Sequence, residues 1–366
     1  MDREGKKTLV WKRNAGILLG LAAIVIKVWS AAHPEWVERI YSRGLFLGIR
    51  WMAGHLLGWV PFPLIYIVFA SLVIWFVIRV KQMPHVKRWT RNGLAAGFLG
   101  VLNFSGWVIF LFFFLWGFNY NRVPVETQLA LKPKPLSKPE LQREFEAETA
   151  AIIQKRKEIP NLGEREISHY DLPAQLESDL RGELEDLLRE NGFPVVGLVR
   201  GRLLFPKGIL LRFSTAGVYF PFTAEGHIDP GLHPVQWPYV LGHELAHGYG
   251  FGDEGTCNFW AYLVCQRSKD PLVAYTGHLA YWRTLARAFR FYEPEKFREL
   301  RVQLPTGIQA DLDGINREME RYPDLAPRLQ YQVYDNYLKS QGIREGMLNY
   351  DRVIMLVRAW KRLKKG

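Results

Sequence analysis

The chain has 366 residues, which is enough for a core-forming domain with additional elements, and a formal net charge of +12. The basic excess is uneven: residues 1–121 hold 14 Lys and Arg against 4 Asp and Glu, whereas the remaining residues hold 34 against 32. A nucleic-acid-binding domain carries its excess on the folded domain itself. We therefore expect no nucleic-acid partner and seek the cause of the charge in the N-terminal third.

Three apolar runs dominate that third, at about residues 15–32, 56–78 and 93–118. Each approaches or exceeds the roughly 20 residues that a helix needs to cross a bilayer. Lys27 lies within the first run and is expected to reach an interface or to face other helices. We predict a membrane region over residues 1–118 with three transmembrane helices and the lipid bilayer as its partner.

The flanking charges predict the orientation of these helices. Five basic residues precede the first run, and five basic residues without any acid follow the second. The segment between the first two runs carries only three basic residues and two acids. Because basic flanks stay in the cytoplasm, we expect a multi-pass protein of the cell (inner) membrane, with a cytoplasmic N-terminus and an extracytoplasmic C-terminal part.

Residues 119–140 contain several prolines and predict a juxtamembrane linker. Residues 141–366 predict an extracytoplasmic domain that is mainly helical, of α+β type, with a small sheet. Residues 208–229 are rich in β-branched and aromatic side chains and predict one or two strands with a turn at Thr215–Gly217. Tyr219–Thr223 is a candidate edge strand, because Pro221 is tolerated at the edge of a sheet, with an ordinary sheet strand as the alternative.

The pattern HExxH follows, as His243-Glu244-Leu245-Ala246-His247. On a helix, residues i and i+4 share a face, so His243 and His247 can offer both imidazoles to one ion. Two imidazoles and a carboxylate suit zinc with one open position, and zinc lowers the pKa of a coordinated water from about 15.7 to about 7. Glu244 is placed to take a proton from that water. The motif predicts a zinc-dependent hydrolase, most often a metallopeptidase.

A second helix is predicted from Glu254 to Cys265, with Glu254 and Asn258 on one face. The stretch Glu254-x-x-Cys257-Asn258-Phe259-x-Ala261 resembles the second zinc helix of the gluzincin metallopeptidases, with Cys257 where alanine is usual. The resemblance implies that Glu254 is the third zinc ligand and that Asn258 orients His243.

The whole chain also resembles a family of bacterial membrane-anchored zincin-like proteins with three N-terminal spans. That resemblance implies a zincin-like domain with an HExxH helix, together with the membrane topology, and brings no substrate with it.

Asp253 is an alternative third ligand. Only six residues separate His247 from Glu254, and the same stretch reads HExxHxxGxxD, the metzincin spacing with an aspartate. A methionine-containing turn would then be expected, for which Met347–Tyr350 is a candidate. We favour Glu254 because Asn258 and the helical pattern support it.

The remaining chain predicts helices over residues 271–292 and 331–365. Gluzincins often use a tyrosine or histidine from their C-terminal helices to stabilise the oxyanion of the tetrahedral intermediate. The candidates are His278, Tyr281, Tyr334 and Tyr350. Tyr350 ranks first because Gly346 precedes it and a strongly helical run follows.

Together these features predict a membrane-anchored zinc metallopeptidase that acts on extracytoplasmic peptides or proteins, with Glu244 as general base. One alternative keeps the zinc and changes the substrate to another amide, such as a cell-wall peptide. The other is a non-catalytic zincin-like scaffold that binds peptide, although the presence of Glu244 argues against it.

Overall fold

The structure, a computed structural model, describes residues 3–82 and 91–364. The described part is mostly helical with one small sheet. The helices of the N-terminal third are α1 (Arg3–Ala31), α2 (Pro34–Trp36), a π-helix (Val37–Leu45), α3 (Phe46–Leu57), α4 (Ile65–Gln82) and α5 (Arg91–Leu115).

Two helices in the described residues are long and apolar enough to cross a membrane, Asn14–Ala31 within α1 and Gly93–Leu115 within α5. The prediction of a second span over residues 56–78 is wrong as a continuous helix. The chain leaves the helical conformation at Gly58 and resumes it at Ile65. Pro61 and Pro63 in this stretch cannot donate the backbone hydrogen bonds that a helix requires.

Helices α1 and α5 pack closely and run parallel. A Cβ atom on Gly20 would lie 2.7 Å from the Cα of Gly106, and one on Gly106 would lie 2.1 Å from the oxygen of Gly16. Small residues of this kind let helix backbones approach within a membrane. Further along both helices, Lys27 donates to Asn121 just beyond α5. These contacts follow the same N-to-C direction along both helices, so the C-terminal ends of α1 and α5 lie together.

The C-terminal part is a helical domain with one extensive hydrophobic core. Helices α9, α10 and α11 pack on one another near its centre, and α7 covers α11. Its helices are α6 (Val125–Gln128), α7 (Lys138–Lys157), α8 (Leu176–Glu190), α9 (Trp237–Gly248), α10 (Glu254–Arg267), α11 (Pro271–Tyr292), α12 (Pro294–Val302), α13 (Thr306–Arg321), α14 (Pro327–Ser340) and α15 (Val353–Leu363).

A three-stranded sheet lies against α9, with strands β1 (Arg200–Leu203), β2 (Gly217–Phe220) and β3 (Glu225–Ile228) in the order β1-β3-β2. Strand β3 pairs in parallel with β1 and antiparallel with β2. The sequence indicated neither β1 nor the 3-10 turn at Leu211–Phe213. Strand β2 is an edge strand, but it ends at Phe220, and residues 221–223 of the predicted edge strand belong to a turn over residues 221–224 instead.

The segment predicted as a linker is packed in its first part. Asn119 and Asn121 are buried, and Arg122 pairs with Glu38 of the π-helix at 2.8 Å. The buried polar side chains find partners on the N-terminal helices, which explains why this stretch does not extend into solvent.

The predicted C-terminal helix over residues 331–365 is broken. Helix α14 ends at Ser340, and a 3-10 helix (Gly346–Arg352) precedes α15. Gly342 and Gly346 both have positive φ values, which favour glycine and turn the chain between the helices. This break carries Tyr350 to the HExxH helix.

Candidate metal centre

Helix α9 holds the HExxH motif in the interior. Pro238 lies in its first turn, where a missing N–H is tolerated, and Gly250, with φ +88°, follows its end. His243 and His247 lie one turn apart and are both buried. They face α10, which begins with Glu254.

Three potential ligand atoms converge between these helices. The Nε2 atoms of His243 and His247 are 3.0 Å apart. Glu254 Oε2 lies 3.1 Å from His243 Nε2 and 3.4 Å from His247 Nε2. This buried group could hold a metal ion, because each residue directs one electron-pair donor to a common point.

Each histidine is oriented through its other nitrogen. His243 Nδ1 lies 2.8 Å from Asn258 Oδ1, and His247 Nδ1 lies 2.8 Å from the Phe251 carbonyl oxygen. Both partners accept a hydrogen bond from Nδ1–H, which leaves the lone pair on Nε2 free. The structure therefore brings Asn258 within hydrogen-bond distance of His243. Cys257 Sγ lies 3.3 Å from His247 Nδ1.

Asp253 faces away from this group. Its carboxylate accepts from the Thr256 backbone N–H at 2.7 Å and thereby caps α10, and it pairs with Arg352 at 2.9 Å. Glu254 begins the same helix and points to the histidines. Burial acts to raise the pKa of the Glu254 carboxyl, but the imidazoles, His247 foremost, hold it below its ordinary value.

Glu244 lies beside the histidines and lines a cavity. Its Oε2 atom is buried without a hydrogen-bond partner among the described residues. Burial raises the pKa of the Glu244 carboxyl to about 7, so the proton can be held or released near neutral pH. An uncompensated buried carboxyl is costly, and such groups are frequent in functional sites.

Of the four candidate oxyanion donors, two lie at the site. Tyr334 OH donates to Glu254 Oε1 at 3.1 Å and lies 3.3 Å from Tyr350 OH. The Tyr350 ring stacks on His243 at a centroid distance of 6.1 Å. His278 and Tyr281 are instead bonded to Glu148 and Glu144 on α7.

A cavity of about 510 Å³ opens beside Glu244, His243 and Tyr350. The sheet reaches it through residues 214–217, which lead into β2, and not through the predicted Tyr219–Thr223. Tyr219 is buried against Trp116 at a centroid distance of 5.5 Å. Met347, from the turn expected to accompany an Asp253 ligand, also lines the cavity. Asp253 itself is not among the three clustered residues.

Comparison with known families places the chain more firmly than any single motif. Residues 41–358 match the family described as protein of unknown function DUF3810. The chain belongs to the DUF3810 family. No curated protein and no solved structure is similar enough to match it. The family description states no function, so the chemistry of this DUF3810 protein is argued from the site.

Sequence reasoning missed the residues that support the site from outside its motif. In this DUF3810 protein Trp116, at the end of α5, donates from Nε1 to the His247 carbonyl oxygen at 2.8 Å. Arg122 donates to the Gly250 carbonyl oxygen at the same distance. Their aromatic and basic character resembled that of ordinary membrane-interface residues.

Two glycines of the sheet leave room for the Glu244 side chain because they lack a Cβ atom. A Cβ atom on Gly217 would lie 2.6 Å from Glu244 Oε1, and one on Gly226 would lie 2.7 Å from Glu244 Cβ. Any larger residue there would displace the glutamate. Their position on two paired strands was visible only after the register of β2 and β3 was known.

Proposed function

We propose that this protein is a membrane-anchored zinc-dependent metallopeptidase that hydrolyses peptide bonds in extracytoplasmic peptides or proteins. The observation that carries the proposal is the convergence of two imidazole nitrogens and one carboxylate oxygen beside Glu244, whose buried Oε2 has no partner in the described part. Two nitrogens and one oxygen form a donor set that suits zinc and leaves a coordination position open.

The residues of the site have two roles in this proposal, metal binding and proton transfer. His243, His247 and Glu254 would hold the ion, and zinc when bound would act as a Lewis acid that polarises a peptide carbonyl and lowers the pKa of water. Glu244 accepts the proton of the attacking water and returns it to the departing amine. Near a dication the Glu244 carboxylate form is favoured, which keeps it available as a base.

Tyr350 and Tyr334 offer hydroxyl groups beside His243 and Glu254. A hydroxyl donor directed at the developing oxyanion contributes roughly 10²–10³ in rate. Tyr350 remains our first choice, because Tyr334 already donates to Glu254 and thereby positions that carboxylate.

Zinc content of the purified full-length chain in detergent tests the proposal. We expect about one zinc per chain, lost in His243→Gln. His278→Gln is the matched control, since His278 is 6 % exposed against 8 % for His243 and is likewise bonded to a buried glutamate. A folded parent protein without zinc, even after zinc is added, would overturn the proposal.

The membrane topology is part of the proposal. Because α1 and α5 run parallel with their C-terminal ends together, a chain that crosses with both must return between them. Helix α4 supplies this third crossing: Trp75 stacks on Phe104 of α5, and Phe69 near its start lies 6.2 Å from Phe220 of the sheet. Its basic end, with Arg79 and Lys81, then lies away from the catalytic domain, on the cytoplasmic side.

Labelling of intact cells with a membrane-impermeant maleimide tests this orientation. Arg328→Cys is exposed on the domain, and Lys81→Cys lies at the far end of α4, while both native cysteines are buried. We expect labelling of the first variant only. Labelling of Lys81→Cys alone would show that the protein has the opposite orientation in the membrane.

A further inference from the structure

The cavity beside the candidate metal centre has a cationic wall. One face of α11 lines it with residues spaced three or four apart, among them Thr276, Ala280, Arg283 and Arg287. From Thr276 to Arg287 this face extends about 16 Å, at 1.5 Å per residue. Glu244 and His243 line the same cavity, so a molecule bound at the centre meets this helix.

Arg283, on this wall, has no partner within the described part of the chain. Among the described residues no carboxylate, carbonyl or hydroxyl oxygen forms a hydrogen bond or ion pair with its guanidinium, although the side chain is only partly exposed. Its neighbour Arg287 is more exposed and lies 3.7 Å from Asp351, too far for a tight pair. Burial, and then Arg287, lower the pKa of Arg283 to about 10, which leaves it cationic at neutral pH.

An enclosed cation without an anion is unfavourable unless a ligand supplies the anion. Arg156, which is buried, shows the usual arrangement, since it pairs with Asp311 at 2.9 Å. A guanidinium presents a planar fork of donors that matches a carboxylate. The same cavity is also lined by the apolar residues Val240, Leu279 and Ile315, and apolar surroundings strengthen a contact between charged groups.

We propose that Arg283 anchors a carboxylate of the bound peptide, so that the protein selects peptides with a negative charge close to the scissile bond. The carboxylate belongs either to the chain end of the peptide or to an aspartate or glutamate side chain. This inference rests on the proposed function, because it takes the cavity as the substrate site. Arg283 binds and orients the peptide and takes no part in the proton transfers.

Three synthetic probes separate the possibilities. All carry a hydroxamate, which binds zinc, joined through a malonyl group to a dipeptide: Leu-Gly with a free carboxylate, Leu-Gly with a carboxamide end, and Leu-Asp with a carboxamide end. Their dissociation constants are measured by calorimetry on the zinc-loaded full-length chain in detergent. Arg283→Gln is compared with Arg298→Gln, which removes the same charge from an exposed position paired with Glu295.

We expect at least one acidic probe to bind roughly tenfold to a hundredfold more tightly than the neutral one, the range of a hydrogen bond between charged groups. Arg283→Gln should abolish that preference, and Arg298→Gln should keep it. The Leu-Gly acid identifies a chain-end carboxylate, and the Leu-Asp amide identifies a side chain. Equal binding of all three probes, or a preference retained in Arg283→Gln, would overturn this inference alone. Failure of every probe to bind the zinc-loaded chain would overturn the cavity as the substrate site, and with it both the proposed peptidase function and the inference.

Discussion

Two of the buried histidine–glutamate clusters in the described part of the molecule differ in a way that separates a candidate metal centre from a structural core. In the first, His243, His247 and Glu254 direct lone pairs to a common point, and no lysine or arginine of the described part pairs with Glu254. In the second, Glu148 lies 2.5 Å from His278 and also accepts from Lys361 at 3.3 Å. The second cluster contains its own cation, Lys361. The first cluster instead presents three potential ligand atoms to a metal cation.

The comparison teaches that burial and residue type alone do not identify a site. Glu254 and Glu148 are both 2 % exposed. What distinguishes them is whether neighbouring side chains already neutralise and satisfy the carboxylate. His278 and Tyr281 were reasonable oxyanion candidates by residue type, yet both are used by the carboxylates of α7.

The largest effect is expected for Glu244→Gln. The amide cannot accept the proton of water, and a general base contributes roughly 10²–10⁴ in rate. Mass spectrometry of a digested mixture of synthetic peptides measures the loss, while zinc content should equal that of the parent. Full activity in a zinc-loaded variant would show that another group is the base.

Replacing the glutamate of each cluster by glutamine tests whether the two clusters differ in metal binding. Glu254→Gln should weaken zinc binding by more than the 10–100-fold typical of a residue behind the ligands, since a neutral amide replaces a charged ligand. Competition with a chelator measures the affinity.

The matched variant Glu148→Gln should keep the zinc affinity and lower the melting temperature instead. Its bond to His278 belongs to the charge-assisted class, which contributes about 1.5–3 kcal/mol. Equal effects of both variants on zinc affinity would remove the distinction between the clusters.

A smaller effect is expected for Asn258→Ala. His243 would lose the acceptor that holds its Nδ1–H, and changes of this kind cost about 10–100-fold in metal affinity. Asn316→Ala, an exposed asparagine on α13, is the control and should bind zinc like the parent. An unchanged affinity in Asn258→Ala would mean that packing against Tyr350 alone orients the ring.

The smallest effect is expected for Trp116→Phe, which removes the hydrogen bond from the membrane helix to the His247 carbonyl. A neutral hydrogen bond contributes about 0.5–1.5 kcal/mol, so zinc affinity should fall by about tenfold or less. Trp107→Phe on the same helix should leave it unchanged. A loss of all zinc in Trp116→Phe would show that the membrane region determines the site and does not merely support it.

Local spacing predicted what a single helix determines. His243 and His247 share a face because they are four residues apart, and Glu254 and Asn258 do so for the same reason. The apolar runs of α1 and α5 were recognisable from length and composition alone. The middle run was misjudged because hydropathy does not register that Pro61 and Pro63 interrupt a helix.

Only the tertiary structure decided the choices that depend on distant residues. Asp253 and Glu254 are neighbours in the sequence, and the capping of α10 by Asp253 determines which of them faces the histidines. The break before Tyr350, the glycines that admit Glu244 and the solitary Arg283 depend on how α9, α11 and the sheet pack. The helical period links residues only three or four apart, whereas long-range contacts follow from the burial of a shared core, which no short segment specifies by itself.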